Sequence, residues 1–228
     1  MDIAQQTLRA IALCHNYNSW IYKIIKPYLG KKVLEVGCGV GNLSGLLRES
    51  RELVAIDCQE LYVKYINLDF PDVKVYNYDI TREGVLALRK HNFDTIVCIN
   101  VLEHIEDDLR ALSNIYELLK SGGRLVLLIP AHPFLYGPLD RNVSHWRRYS
   151  KQGLVNKLKD ANFRIEKVSY FNRLGALGWF LNARIRKKKQ ISFVQLFLFD
   201  RFVPFLSEID SYFNLPWGLS LLAVGVKD

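Results

Sequence analysis

The stretch Val33-Leu34-Glu35-Val36-Gly37-Cys38-Gly39-Val40-Gly41-Asn42 decides how the rest of the chain is read. A short apolar run leads directly into three glycines, and a helix is expected to open at Asn42. The run does not alternate between apolar and polar residues, as expected of a strand buried on both faces of a parallel sheet. Glycines in the turn permit unusual backbone angles and the close approach of a ligand. The amides at a helix start then face whatever binds. Moving outward, Leu53–Ile56, Ile96–Ile99 and Leu125–Ile129 are runs of the same kind, and Val73–Tyr76 is a weaker one. Helical segments separate them. The clearest is Asp107–Lys120, with Leu109, Leu112, Ile115, Tyr116 and Leu119 on one face and Gly122-Gly123 as its stop. Strands alternating with helices predict βαβ units and a doubly wound sheet. Two further strands are expected at residues 163–170 and 219–226. Between them lie two helical segments, one holding Leu174, Leu177, Leu181 and Ile185, the other Val194, Leu198, Phe202, Phe205, Ile209 and Tyr212, with a kink expected at Pro204. The expected fold is α/β, a doubly wound, mostly parallel seven-stranded Rossmann-like sheet. It has N-terminal helices and a helical insertion before the last strand.

The 228 residues suit a single domain, and a mean hydropathy of +0.01 excludes general disorder. The net charge of +8 is uneven. Residues 1–130 carry 15 basic and 16 acidic side chains, whereas residues 131–228 carry 16 basic and 7 acidic ones. The excess in the last 98 residues points to an acidic substrate, a nucleic acid or a membrane surface. Cys14, Cys38, Cys58 and Cys98 are widely spaced, with no metal-binding or disulfide pattern, so a reduced, cytoplasmic setting and no metal are expected. The longest uncharged stretches, Leu125–Leu139 and Ser211–Val226, are interrupted by proline and fall short of the ~18–20 apolar residues of a membrane helix.

Two ligand classes compete for the glycine turn. A dinucleotide wants G-x-G-x-x-G, but here the third glycine comes one residue early and position 42 is Asn. Glu35, two residues before the first glycine, suits a cationic ligand better than a diphosphate. The sequence from Leu34 to Ser44, LEVGCGVGNLS, resembles the first motif of class I S-adenosylmethionine-dependent methyltransferases. Asp57 ends the second strand, where that family places a carboxylate on the ribose hydroxyls. Asp79-Ile80 follows the third strand, like the pair that meets the adenine. Asn100-Val101-Leu102-Glu103-His104 follows the fourth, like the loop flanking the methionine moiety. Asn16–Trp20 resembles the segment that closes over the cofactor in one subgroup, and Leu139–Ser150 resembles another segment of that subgroup, whose members often sit beside glycosyltransferases. The resemblance covers residues 15–130 most specifically. It implies S-adenosylmethionine as cofactor and contacts from Tyr17, Trp20, Glu35, Gly37, Cys38, Gly39, Gly41, Asp57, Cys58, Asp79, Ile80, Asn100, Val101 and Leu102. The single domain 1–228 then divides into an N-terminal helical cap (1–30), a cofactor-binding core (31–130) and a substrate-side region (131–228). Plainer roles compete for some of these residues. Glu35 would shape the loop, Asn42 would cap a helix, and Cys38 and Cys98 would fill the core.

Methyl transfer from a sulfonium is an in-line displacement, so the protein aligns a nucleophile and excludes water. An oxygen or nitrogen nucleophile must also lose a proton, and a positioned base contributes ~10²–10⁴-fold. His145, His104 and Asp140 are the candidate catalytic residues, with His132 a weaker one. Arg147, Arg148 and Tyr149 would clamp an anionic acceptor or, equally, hold the insertion against the core. The run Arg184–Lys189, followed by the aromatic-rich helix, would lie on an anionic membrane, with 184–205 as the contact. The same helix would otherwise join a homodimer or cover the acceptor pocket. The expected function is methyl transfer to an oxygen or nitrogen of a small-molecule, lipid-linked or sugar-bearing acceptor. A non-catalytic S-adenosylmethionine-binding protein is the alternative. A nucleic-acid methyltransferase ranks lower, because Asn100-Val101-Leu102-Glu103 offers no stacking pocket for a flipped base.

Overall fold

The computed structural model describes residues 3–48, 52–181, 192–212 and 216–228. Seven strands form one sheet: β1 (Lys32–Val36), β2 (Glu52–Asp57), β3 (Lys74–Asn77), β4 (Phe93–Ile99), β5 (Leu119–Pro130), β6 (Arg164–Phe171) and β7 (Ser220–Val226). Their order is β3-β2-β1-β4-β5-β7-β6. The first five strands pair in parallel, and β7 runs antiparallel between β5 and β6. This is the expected mostly parallel α/β sheet. The missing alternation has a direct cause: both faces are covered. Along β5, Leu125, Leu127 and Ile129 enter one apolar layer, while Val126 and Leu128 enter the other. Each such side chain, fully buried, contributes ~1.5–3 kcal/mol.

The helices are α1 (Ile3–Ala12), α2 (His15–Ile25), α3 (Ser44–Leu47), α4 (Glu60–Asp69), α5 (Asp108–Leu118), α6 (Pro138–Asn142), α7 (Lys151–Asp160), α8 (Arg173–Phe180) and α9 (Phe193–Tyr212). The Asp107 side chain caps α5 by accepting the Arg110 amide at 3.0 Å, and the helix ends before Gly122-Gly123, which lie within β5. Helix α3 begins two residues later than expected. Its N-cap is Leu43, without a side-chain bond, and Asn42 caps nothing: its Oδ1 is buried without a partner. Pro204 lies inside α9, which continues past it to Tyr212. Ile185 and the basic run 184–189 lie outside the described residues.

The N-terminal helices and the C-terminal insertion form one layer. Helix α2 buries Trp20, Ile21 and Ile25 against the sheet. Asp200 of α9 accepts the Tyr17 amide at 2.9 Å and the Asn16 side-chain amide at 3.1 Å. A carboxylate on the first turn of α2 also opposes the helix dipole favourably. The strand order reverses between β1, flanked by β2, and β4. The crevice outside the carboxyl ends of these strands is where ligands bind in such sheets.

Candidate functional site

The glycine turn closes that crevice on the β1 side. Gly37, Gly39 and Gly41 all have positive φ, at 74°, 53° and 86°, which L side chains rarely adopt. Space is short as well. A Cβ on Gly37 would overlap Val101 and one on Gly41 would overlap the Phe70 ring. One on Gly39 would press on Leu8 of α1, so α1 lies over the turn. Asp57 at the end of β2 is tied to this turn. Its Oδ2 accepts the Gly39 amide at 3.0 Å and its Oδ1 the Gln59 amide at 2.9 Å. Burial pushes the Asp57 carboxyl above the usual range, against those amide bonds.

Glu35 is bonded within the fold. It is buried and accepts the Ser44 hydroxyl at 2.6 Å, which fastens the end of β1 to α3. Burial pushes it up to about 7. Cys38 is buried, and Cys58 is exposed beyond β2. Asp79 is half-buried and accepts the Thr81 amide at 2.9 Å and the Thr81 hydroxyl at 2.8 Å. Ile80 is buried, its carbonyl held by Asn114 at 2.7 Å. Asn100 leaves β4 at φ 53°, Val101 then packs on Gly37, and Leu102 is core.

The two aromatic candidates pack against the second apolar layer. Trp20 packs against Phe171 with ring centroids 4.4 Å apart, inside the second apolar layer. Tyr17 stands between Trp20, Phe171 and Phe199, and its hydroxyl bonds the Asn172 side chain. Burial pushes it up to about 12. Both rings join α2 to β6 and α9, and Trp20 shares its apolar layer with Cys38 of the glycine turn.

The three candidate catalytic residues converge with a fourth residue. His145 Nδ1 lies 3.0 Å from Asp140 Oδ1, and its Nε2 lies 3.9 Å from Glu103 Oε1. The His104 and His145 rings meet edge to face at 4.6 Å. The Trp146 amide donates to the Glu103 carbonyl at 2.8 Å, fastening the insertion to the loop after β4. Asp140 is fully buried. Burial raises its carboxyl, but the His145 bond and the Arg148 charge outweigh that and hold it below the usual range. Burial pushes Glu103 up to about 7, partly offset by His145. Desolvation by the surrounding wall, with His145, pushes His104 down to about 4. Asp140 as acceptor requires the proton on His145 Nδ1, and Nε2 faces Glu103 and His104. Glu103 belongs to the motif after β4 but not to the catalytic set expected from the sequence. The signal that marks it is a Glu-His pair on the loop where β4 ends. His132 stacks on Tyr170 at 5.2 Å and stays outside this group.

Arg147, Arg148 and Tyr149 depart from the expectation of an anion clamp. Arg147 pairs with Asp108 at 2.9 Å and donates to the Glu106 carbonyl at 2.7 Å. Arg148 is buried, donates to Asp140 at 2.7 Å and lies over the Trp179 ring at 4.5 Å. The Tyr149 hydroxyl donates to Asp108 at 2.9 Å and is buried. Their polar atoms are engaged in holding the insertion to the core. Removing them from solvent without such partners would cost several kcal/mol.

Comparisons with known proteins bear on the family and the fold. A family profile described as a methyltransferase domain matches residues 15–168. A ubiquinone biosynthesis O-methyltransferase of Xanthomonas euvesicatoria pv. vesicatoria is 27% identical over 183 residues, covering 72% of this chain and 74% of its own. A protein of the same name from Xylella fastidiosa is 37% identical over 102 residues, covering 43% of this chain and 42% of its own. The crystal structure of a SAM-dependent methyltransferase from Archaeoglobus fulgidus superposes with a TM-score of 0.62 at 18% identity, covering 90% of this chain and 91% of that one. At that identity the likeness speaks for the fold alone.

Proposed function

The chain belongs to the methyltransferase-domain family and is an S-adenosylmethionine-dependent methyltransferase, and on that premise we propose that it methylates a hydroxyl of a small, lipid-linked acceptor held between the glycine turn and the His145–Asp140 pair. When bound, S-adenosylmethionine supplies an electrophilic methyl group on a sulfonium. The chain's residues fit this cofactor. Three positive-φ glycines make a cradle that side chains would fill, and Asp57 offers a carboxylate where two vicinal hydroxyls can donate. We assign Gly37, Gly39, Gly41 and Asp57 to hold it, with Asp79, Ile80, Asn100 and Val101 flanking.

The observation that carries the acceptor reading is the course of one loop. Val101 rests against Gly37, and two and three residues later Glu103 and His104 face His145. The cofactor turn and the His104–His145 pair therefore stand at opposite ends of a single short segment. His145 Nε2 takes the acceptor proton, Asp140 holds the ring and steadies the charge that forms, and His104 stays neutral beside it. An oxygen nucleophile suits this pair, and the O-methyltransferase relatives point the same way. The test is an acceptor screen by mass spectrometry that contrasts phenolic lipids, sugar-bearing lipids and amines. Methylation confined to amines would overturn the oxygen assignment.

The lipid part rests on α8 and α9. Leu177 and Phe180 of α8 are exposed, as are Phe193, Phe197, Phe202 and Phe205 of α9. Single exposed apolar residues are ordinary, but a row of this size needs a cover. The adjacent stretch of five basic residues between 184 and 189 suits an anionic bilayer. Among the described residues no helix is long and apolar enough to cross a membrane. Flotation with anionic vesicles should carry the protein up, and Phe197→Ser with Phe202→Ser should leave it at the bottom. A wild-type protein that stays at the bottom would overturn this part.

A further inference from the structure

Aromatic side chains gather where β5 and β6 end. His132 follows β5 and stacks on Tyr170 at 5.2 Å with the rings 9° apart, and Phe134 lies 5.2 Å from His132. The Gly218 amide bonds His132 Nε2 at 3.5 Å and fixes that ring. Strands β5 and β6 both run antiparallel to β7, so their ends share one edge of the sheet, the edge of the crevice. Trp179 comes from α8, the helix that follows β6. Its ring lies 4.5 Å from the Arg148 guanidinium. Arg148 donates to the Ala131 carbonyl at 3.2 Å, just before His132, and to the same Asp140 oxygen that His145 Nδ1 bonds. Arg148 and Asp140 therefore bridge the indole to His145.

Trp179 Nε1 is buried and has no hydrogen-bond partner. An indole N–H can only donate, and a buried donor without an acceptor is costly. Tryptophans buried in proteins usually have this group bonded. A few polar groups set among aromatic walls are also what fix a ligand's orientation in a pocket. We propose that Trp179 is a specificity-determining residue for the acceptor: its Nε1–H donates to a second, non-reacting oxygen, an ether or carbonyl on the ring that carries the hydroxyl to be methylated. The inference rests on the acceptor reading above and deepens it. A ring suits this wall because His132, Phe134 and Tyr170 offer flat faces, and Phe134 is 61% exposed. Leu177 and Phe180, exposed on the same helix as Trp179, give a tail on that ring an apolar path outward. His145 Nε2 remains the group that takes the proton, and Trp179 has no part in that transfer. A site built to bond a polar group rejects the analogue that lacks it, because the buried partner is then left unpaired.

The full chain is assayed with S-adenosylmethionine on para-hexylphenol and on its ortho- and meta-methoxy derivatives. Binding of the same compounds to protein loaded with S-adenosylhomocysteine is followed by calorimetry. The wild type should favour at least one methoxy derivative over the parent phenol by about tenfold or more in kcat/KM. Trp179→Phe keeps an aromatic ring beneath Arg148 and removes only the N–H. It should lose the preference by lowering kcat/KM for the methoxy compound, with the parent phenol unchanged. Unchanged S-adenosylhomocysteine affinity reports a folded variant. A wild type without the preference, or an equal preference in Trp179→Phe, overturns the role of Trp179 and leaves methylation of the hydroxyl standing. If no compound is methylated, calorimetry separates the two ideas. Tighter binding of a methoxy derivative that Trp179→Phe abolishes upholds Trp179 and sinks the hydroxyl reading, whereas no binding of any of them overturns the role of Trp179.

Discussion

The two halves of this molecule present their chemistry differently. In residues 31–130 the groups assigned to the cofactor sit at strand ends that succeed one another along the chain: Gly37 after β1, Asp57 ending β2, Asp79 after β3 and Asn100 after β4. Among the described residues of 131–228, several charged groups join pieces of the fold. Arg147, Arg148, Tyr149 and Lys157 all pair with Asp108 or Asp140, and Arg173 pairs with Asp210 at 2.9 Å. A parallel sheet places successive strand ends in one crevice, so a ligand site there is written in sequence order. The insertion has no such scaffold and must hold itself in place. Arg147, Arg148 and Arg173 are therefore tethers before they are ligands.

The largest expected effect lies on the acceptor side. His145→Ala should lower turnover by about 10²–10⁴-fold while S-adenosylhomocysteine affinity by calorimetry stays within about twofold, because the ring touches no part of the glycine turn. Full turnover in that variant would break the contrast between the halves. The tether claim predicts an effect of another kind. Arg148→Met leaves Asp140 buried opposite an apolar chain and should cost about 3–5 kcal/mol in a denaturant melt. A melt unchanged from wild type would make Arg148 a substrate ligand again. On the cofactor side, Asp57→Ala should weaken S-adenosylhomocysteine by about 10–100-fold, the worth of a hydrogen bond to a charged group. Its thermal melt should change less than that of Arg148→Met.

The sequence shows most of the sheet, for a physical reason. Burial on both faces leaves continuous runs such as Leu125–Ile129, and the positive-φ glycines after β1 can be filled by little else. The start of α3 departs from expectation because the turn spends Asn42 and Leu43 before helical angles begin. Trp20 and Tyr17 look like cofactor contacts in the sequence, and the structure gives them packing partners that the sequence does not announce. Their neighbours Phe171 and Phe199 arrive from more than 150 residues away, and no local pattern announces that. The same holds for Glu103, His104 and His145. The two histidines stand 41 positions apart, without the i, i+4 or C-x-x-C spacing by which ligand sets are recognised. The Trp146–Glu103 backbone bond and the bond from the His104 ring to the Ser144 backbone bring their loops together. The +9 of the last 98 residues points at a partner only after the internal pairs are set aside, which leaves the stretch from 184 to 189 as its densest part.

The smallest effect expected is a pH dependence in the cofactor half. Buried Glu35, bonded to Ser44, is pushed up to about 7 from an ordinary carboxylate value of 4.5. Between those two values the native state holds a proton that the unfolded chain has released, so stability falls as pH rises through that window and levels off above it. In a Glu35→Gln variant the side-chain amide has no proton to lose and still accepts the Ser44 hydroxyl. That variant should therefore match the wild type near pH 4.5. By about pH 8 it should be the more stable by an amount on the order of 1–2 kcal/mol. Chemical melts across that range measure the difference directly. Parallel curves for the two proteins would mean that Glu35 is ionised at little cost and faces water or a cation. In that case the cationic-ligand role of Glu35 would replace the loop-shaping one, and the first strand end would join the cofactor contacts.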